Sequence, residues 1–345
     1  MVIFGAGASY DSFAKAPPGT ALIGAYPQQR TVGNRPPLAK ELFDVRFGEY
    51  YGLFPECRPI VSLLQQSDIS VEAELEKLQS RSDYQQGLVQ LAAVRYYLQT
   101  MIWRCQNLWT HQVTNGVTNY DSLLDQIAKR PISRNKVLLV TFNYDTLLDD
   151  ALSARGLRLQ SLSDYVSSDF RLVKLHGSID WVHEIIDFKF TVPSPAKHLI
   201  HQIIKEAASL RIKSDSFQMV SPDPFQRPAE KPLYPALSIP VENKSGYECP
   251  AEHLKALEDS LPQVNKVLVI GWRAGENRFL EMLGKGIAKE AEFMIVSSNR
   301  ESATEVASKI RHAVRPRVQG ELIAAETSFS HFTFSRELDS FLIEV

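Results

Sequence analysis

The chain has 345 residues, of which 44% are hydrophobic, 10% aromatic and 23% charged. These proportions belong to a globular protein and exclude a disordered or collagen-like chain. The 38 Lys and Arg against 40 Asp and Glu leave a formal charge of -2, so direct nucleic-acid binding through a basic surface is not expected.

Val2-Ile3-Phe4 is a short apolar run that enters Gly5-Ala6-Gly7-Ala8-Ser9. A strand running into a glycine turn is the opening of an open α/β sheet. Residues 15–37 carry Pro17, Pro18, Pro27, Pro36 and Pro37 among three glycines and read as a long loop. Residues 38–128 read as mainly helical. Within 87–113, Leu91, Val94, Leu98, Met101, Cys105, Leu108 and Gln112 recur every three or four residues, the spacing of one helix face. A helix of that length, roughly 40 Å, crosses a whole domain. Its rings Tyr96, Tyr97, Trp103 and Trp109 suggest an aromatic contact between copies, or a simple internal core.

Residues 137–141 form a near-continuous apolar run, as in a strand buried on both faces. A helix over 146–155 follows and stops at Gly156. Residues 172–175 are the next strand. The stretch 187–248 reads as irregular apart from a helix near 197–211, and its prolines between 222 and 240 point to a lid, a binding loop or a disordered segment. From 251, helices over 251–261, 276–289 and 300–314 alternate with strands over 266–270, 292–297 and, weakly, 321–325, before a terminal helix from 335. This alternation predicts an α/β protein with a Rossmann-like doubly wound parallel sheet and a helical insert after the first strand. The sheet domain comprises 1–37 and 129–345, the insert 38–128.

Cys57, Cys105 and Cys249 are the only cysteines, and no two form a CxxC pair. A four-thiolate zinc site cannot be built from them, no metal is expected, and a sparse odd set fits a reducing compartment. No apolar run approaches a membrane span. Residues 1–5 lack the basic flank and apolar core of a signal peptide. A cytoplasmic protein is the expectation.

Four segments carry chemistry. Gly5-Ala6-Gly7-Ala8-Ser9 would let backbone amides approach a pyrophosphate, or is a tight turn only. Thr141-Phe142-Asn143-Tyr144-Asp145 lies at the carboxyl end of a strand, where open α/β sheets bind ligands; Asn143 and Asp145 also suit a helix cap. His176 ends a strand and precedes Gly177, and histidine can act as a base near neutral pH; the alternative is a hydrogen-bonded core histidine. Ile270-Gly271-Trp272-Arg273-Ala274-Gly275-Glu276 is another strand ending in a glycine turn that opens a helix.

In this order the segments resemble the sirtuin-like superfamily: an amino-terminal GAGxS, a central TxNxD, a strand-end HG and a late strand ending in glycine. The FNYD and HGSIDW forms and the IGWRAGE turn are most similar to bacterial sirtuin-like NADases of antiphage defence. The four-cysteine ribbon of sirtuin deacetylases is missing, which argues against an acyl-lysine substrate. Where deacetylases carry an arginine segment, this chain reads Tyr10-Asp11-Ser12-Phe13.

The resemblance implies cleavage of the N-glycosidic bond of NAD+, the substrate, in a regulated effector that depletes NAD+ during abortive infection. Asn143 would hold the ribose and the attacking water, His176 would be the general base, and Asp145 would bind the nicotinamide carboxamide or position water. Gly5, Ala6, Gly7, Ala8 and Ser9 would cradle the pyrophosphate, with Asp11, Gly271 and Trp272 in the same site. Asn299 would contact the adenosine ribose or cap a helix. ADP-ribosyl transfer to a protein and a non-catalytic NAD or nucleotide sensor are the other readings. Control would come from a homo-oligomer or from a partner protein such as a DNA-translocating ATPase.

Overall fold

The computed structural model describes residues 1–13, 34–65, 70–80, 85–114, 116–129, 137–190, 195–227, 231–241, 246–288, 290–314, 323–325, 328–335 and 337–342. The loop expected over 15–37 lies outside the described residues except for 34–37. The strands are β1 (Val2–Phe4), β2 (Val137–Thr141), β3 (Phe170–Lys174), β4 (Gly177–Ile186), β5 (Arg211–Met219), β6 (Leu233–Leu237), β7 (Lys266–Ile270), β8 (Glu292–Val296) and β9 (Ile323–Ala325). The helices that matter for the site are α1 (Ala6–Tyr10), α2 (Gln85–Trp109), α3 (Asn119–Ala128), α4 (Leu147–Ala154), α5 (Ala196–Lys205), α6 (Ala251–Ser260), α7 (Asn277–Gly286) and α8 (Arg300–Val314).

Six strands form one sheet in the order β3-β2-β1-β7-β8-β9, and every pair in it is parallel. Counted within the sheet this is 3-2-1-4-5-6, the order of a Rossmann-like doubly wound fold. Alternate side chains leave a strand on opposite faces. Phe4, Leu139, Leu172 and Leu268 therefore meet α3 and α4, while Ile3, Val140, Val173 and Val269 meet α6, α7 and α8. Both faces are covered, which is why the strands read as unbroken apolar runs.

The stretch expected to be irregular holds a second sheet, antiparallel, in the order β5-β4-β6. The helix expected near 197–211 ends with α5 at Lys205, and Arg211 already opens β5. Pro235 sits inside β6, which is an edge strand, where an N–H that faces away from the neighbouring strand can be missing without loss of a ladder bond.

Helix α2 runs for 25 residues against this second sheet. Tyr96 donates to the Leu233 carbonyl at 2.5 Å, Arg95 to the Leu237 carbonyl at 3.0 Å and Gln99 to the Ile179 carbonyl at 2.7 Å. Tyr96, Tyr97 and Trp109 are buried, and Trp103 packs against the same core. Of the four rings, Tyr96, Tyr97 and Trp109 thus belong to the internal core, and Trp103 is half-buried at its edge. The helix buries residues all round its axis, so the three-to-four spacing identified only part of its packed surface. Helix α3 packs instead on the parallel sheet, with Leu123 and Leu124 in the cluster that holds Phe4. Among the described residues no helix is long and apolar enough to cross a membrane.

Candidate active site

The order of the parallel sheet reverses between β1 and β7, so the chain leaves these neighbours toward opposite sides and opens a crevice at their carboxyl ends. The two turns that line the crevice are locked together. Gly5 N–H donates to the Ile270 carbonyl and Gly7 N–H to the Gly271 carbonyl, both at 3.0 Å. Gly271 has φ +61°, and a Cβ there would stand 2.3 Å from the Ala8 nitrogen. Gly271→Ala should therefore destabilise the chain by roughly 3 kcal/mol, the upper range for a strained backbone position. Thermal melting of the variant beside the parent chain measures it.

This interlock changes the role of the glycine turn. The amides of Gly5, Gly7 and Ala8 were expected to face a pyrophosphate. They donate to the carbonyls of Ile270, Gly271 and Gly5. The glycines permit two backbones to touch, and of this group only the Ala6 amide, at the start of α1, has no carbonyl partner among the described residues.

Asn143 follows β2 directly and is buried. Its Nδ2 lies 3.0 Å from the Gly5 carbonyl, 2.9 Å from Ser9 Oγ and 3.3 Å from the Tyr120 hydroxyl. A carbonyl only accepts, so the Gly5 contact fixes which end of the carboxamide is nitrogen. The Oδ1 acceptor is thereby turned away from these partners, on a residue that lines the cleft. Ser9 Oγ and the Tyr120 hydroxyl are themselves 2.9 Å apart. Ser9 is thus a support for Asn143 rather than a free phosphate ligand.

Asp145 also lines the cleft and serves a local purpose as well. Its Oδ1 accepts from Leu147 N–H at 3.2 Å, in the first turn of α4. Burial raises its carboxyl above the ordinary range, opposed by the positive charge of Lys174 and by a hydrogen bond from Ser9. Lys174 is fully buried at the end of β3. Its Nζ donates to the Asp145 carbonyl at 2.6 Å and to Asp149 Oδ2 at 2.9 Å.

His176 is placed by the turn from β3 into β4. Gly177 has φ +81°, and a Cβ on it would lie 1.9 Å from the Ala236 carbonyl oxygen; only glycine lets the chain turn so close to β6. The imidazole is 4% exposed. Its ring stands edge-on to Phe142 at 5.0 Å and tilted to Tyr144 at 6.2 Å. His176 Nε2 is 4.0 Å from Glu276 Oε1.

Trp272, expected beside the phosphates, stacks on Phe142 at 5.3 Å with an interplanar angle of 6°. Its indole N–H donates to Glu276 Oε2 at 2.5 Å, so its polar atom is already used. Asp11 lies on the cleft wall and accepts from Ser330 N–H at 2.8 Å and Ser330 Oγ at 2.7 Å. Asn299 is exposed, does not line the cleft, and accepts from Ser302 N–H at 2.8 Å; it caps α8. Ser297 and Ser298, at the end of β8, occupy the wall that had been expected of Asn299.

The cleft measures about 1150 Å³ and gathers Gly5, Ala6, Gly7, Ser9, Asp11, Asn143, Asp145, His176, Gly271 and Trp272. Ala8 is buried beneath them. That volume is above the range of about 300–1,000 Å³ usual for drug-sized ligands and leaves room for an extended dinucleotide. Sequence reasoning missed Glu276, Tyr144 and Tyr247, which share the cleft with His176. A carboxylate at the carboxyl end of β7 was the available signal for Glu276. Among the described residues no group of His, Cys, Asp and Glu is arranged to hold a metal ion. No protein-family model matches the chain, and no curated protein matches it.

Proposed function

We propose that the chain is an NAD+ glycohydrolase, releasing nicotinamide and ADP-ribose. The observation that carries this reading is the convergence of Asn143, Asp145 and His176 on one roomy cleft at the switch point of a doubly wound sheet. The order of the motifs along the chain, similar to that of sirtuin-like NADases, supports the same reading.

The chemistry follows from the leaving group. Nicotinamide departs neutral, so no acid is needed to protonate it. The electron pair of the C1′–N bond leaves with the nicotinamide nitrogen, and positive charge develops on the ribose. The Asn143 Oδ1 acceptor holds a ribose hydroxyl or the attacking water. His176 takes the proton as the water oxygen bonds to C1′. Asp145 receives the amide of the nicotinamide carboxamide. The aromatic wall of Phe142 and Trp272 limits water to the reacting end. A role in antiphage defence, with activity held in check by self-assembly or by a partner such as a DNA-translocating ATPase, belongs to this proposal through the family resemblance alone.

Purified chain incubated with NAD+, alone and with the product of its neighbouring gene, tests the reading by chromatography. Free nicotinamide with an equal amount of free ADP-ribose is the expected result. ADP-ribose attached to protein would make the chain a transferase, and NAD+ retained intact would make it a sensor. Asn143→Ala should stop turnover and also lower stability by about 1–3 kcal/mol. It strips the Gly5 carbonyl and the Ser9 and Tyr120 hydroxyls of a buried partner. Melting and nicotinamide release measured on one preparation check both effects.

A further inference from the structure

We propose that Glu276 is a positioning residue for His176, a carboxylate that faces the imidazole in the cleft and stabilises its protonated form through charge. Glu276 immediately precedes α7, on the opposite side of the sheet's switch point from the His176 turn. Its two oxygens have separate tasks. Oε2 accepts the Trp272 indole N–H at 2.5 Å. Oε1 is the oxygen that faces His176 Nε2 at 4.0 Å.

The surrounding rings keep that arrangement. Trp272 lies flat on Phe142, and Phe142 stands edge-on to His176. The ring that anchors Glu276 and the ring that abuts His176 are thus in contact, so the carboxylate and the imidazole are located relative to the same two aromatics. Other titratable groups on the elements around His176 have different roles. The Tyr144 phenol donates to the Ser238 carbonyl at 2.8 Å, and burial first, then the Glu276 charge, push its ionisation far above the ordinary phenol range. Glu248 bridges the His176 backbone, but its carboxylate oxygen lies 2.6 Å from His183 Nε2. Arg95 and Glu72 bear on the Tyr144 phenol by their charge, and the Arg278 guanidinium, on the same cleft wall, lies over the Tyr247 ring at 4.8 Å.

The role of Glu276 in turnover rests on the NAD+ hydrolase reading. There, the water oxygen bonds to C1′, the C1′–N electron pair leaves on nicotinamide, and the water proton passes to His176. An imidazolium forms 4.0 Å from a carboxylate, and the opposite charge lowers its energy. The proton then leaves for solvent, and the base is restored. An oriented carboxylate behind a catalytic histidine has the same effect wherever the histidine must accept a proton.

The contact can be tested without turnover. The His176 imidazole is followed by NMR in the full chain, its resonance identified by its loss in His176→Ala. Glu276→Gln should move its titration about one pH unit lower, the low end of the effect of an opposite charge at this distance. Trp272→Phe, which keeps the stacked ring but releases Oε2, should give a smaller shift in the same direction. In the hydrolase assay the acid limb of kcat/KM should move with the titration, and kcat should fall about 10-fold with KM little changed. Glu276→Asp, which keeps the charge, should recover part of both. An unmoved titration in folded Glu276→Gln overturns the inference while leaving the hydrolase reading intact. A moved titration in Glu276→Gln, with a parent chain that releases no nicotinamide either alone or with the product of its neighbouring gene, overturns the hydrolase reading and upholds the contact.

Discussion

Under the proposed NAD+ hydrolase reading, nicotinamide release should fall by about 10²–10⁴-fold in His176→Ala, the loss typical of a missing general base. The backbone at this position is held independently of the side chain: the His176 carbonyl accepts from Ser238 N–H at 3.0 Å. The variant should therefore fold. It does open a void beside Phe142 and Tyr144, so melting a few degrees below the parent is expected as well. His176→Gln separates the two effects, because glutamine refills most of the space and cannot take up a proton near neutral pH. Both variants should be inactive, and only the alanine should be clearly less stable. Full turnover from folded His176→Ala would place the base elsewhere in the cleft.

Lys174→Met should destabilise the chain by about 3–5 kcal/mol. Lys174 is the cation for a buried acidic cluster. Its Nζ lies 2.9 Å from Asp149 Oδ2, and the other Asp149 oxygen accepts from the Tyr165 hydroxyl at 2.7 Å. The carboxyls of Asp145 and Asp180 are raised by burial and pulled back down by the charge of Lys174. Methionine fills the space but leaves Asp149 without its cation. The double variant Lys174→Met with Asp149→Leu should recover part of the loss, since replacing both members of a buried pair is far milder than removing one.

The same cluster gives a pH dependence with a defined sign. Asp145 and Asp180 bind protons more tightly when folded than when unfolded, because burial raises both above 3.8. Their contribution to stability is therefore largest in acid and declines as pH rises from the unfolded carboxyl value through the raised folded ones. In Lys174→Met the raised values go higher still, so its deficit should shrink as pH is lowered toward 5. Chemical denaturation of parent and variant across pH 5–8 measures the difference.

How much of this was legible in sequence depended on whether the signal was local. Val267, Leu268, Val269 and Ile270 announce a buried strand without reference to any other segment, and β7 runs over Lys266–Ile270. The polar β5 and the proline inside β6 give no such signal. Their strand state comes from pairing on either side of β4, which no window of sequence contains. The site divides in the same way. Asn143 and His176 are legible because each stands at a strand end. The spent amides of Gly5 and Gly7 are not, since their acceptors sit in the β7 turn. Trp272 and Glu276 stand four residues apart in one segment of the sequence, but their hydrogen bond and the stack on Phe142 are properties of the folded cleft.

The lock between the first turn and the turn at Gly271 also orders events during synthesis. A ribosome adding about 5–20 residues per second takes roughly 15–50 s to travel from one to the other. Over the last third of that interval the nascent chain contains Asn143 and His176 but has no complete β7 to seat against β1. The cleft is an and-gate in chain length: neither the part before β7 nor the part from β7 onward holds all of its walls. A chain truncated before Gly271 therefore lacks the β7 wall of the cleft, and any ligand that needs both walls must wait for the later turn to be made.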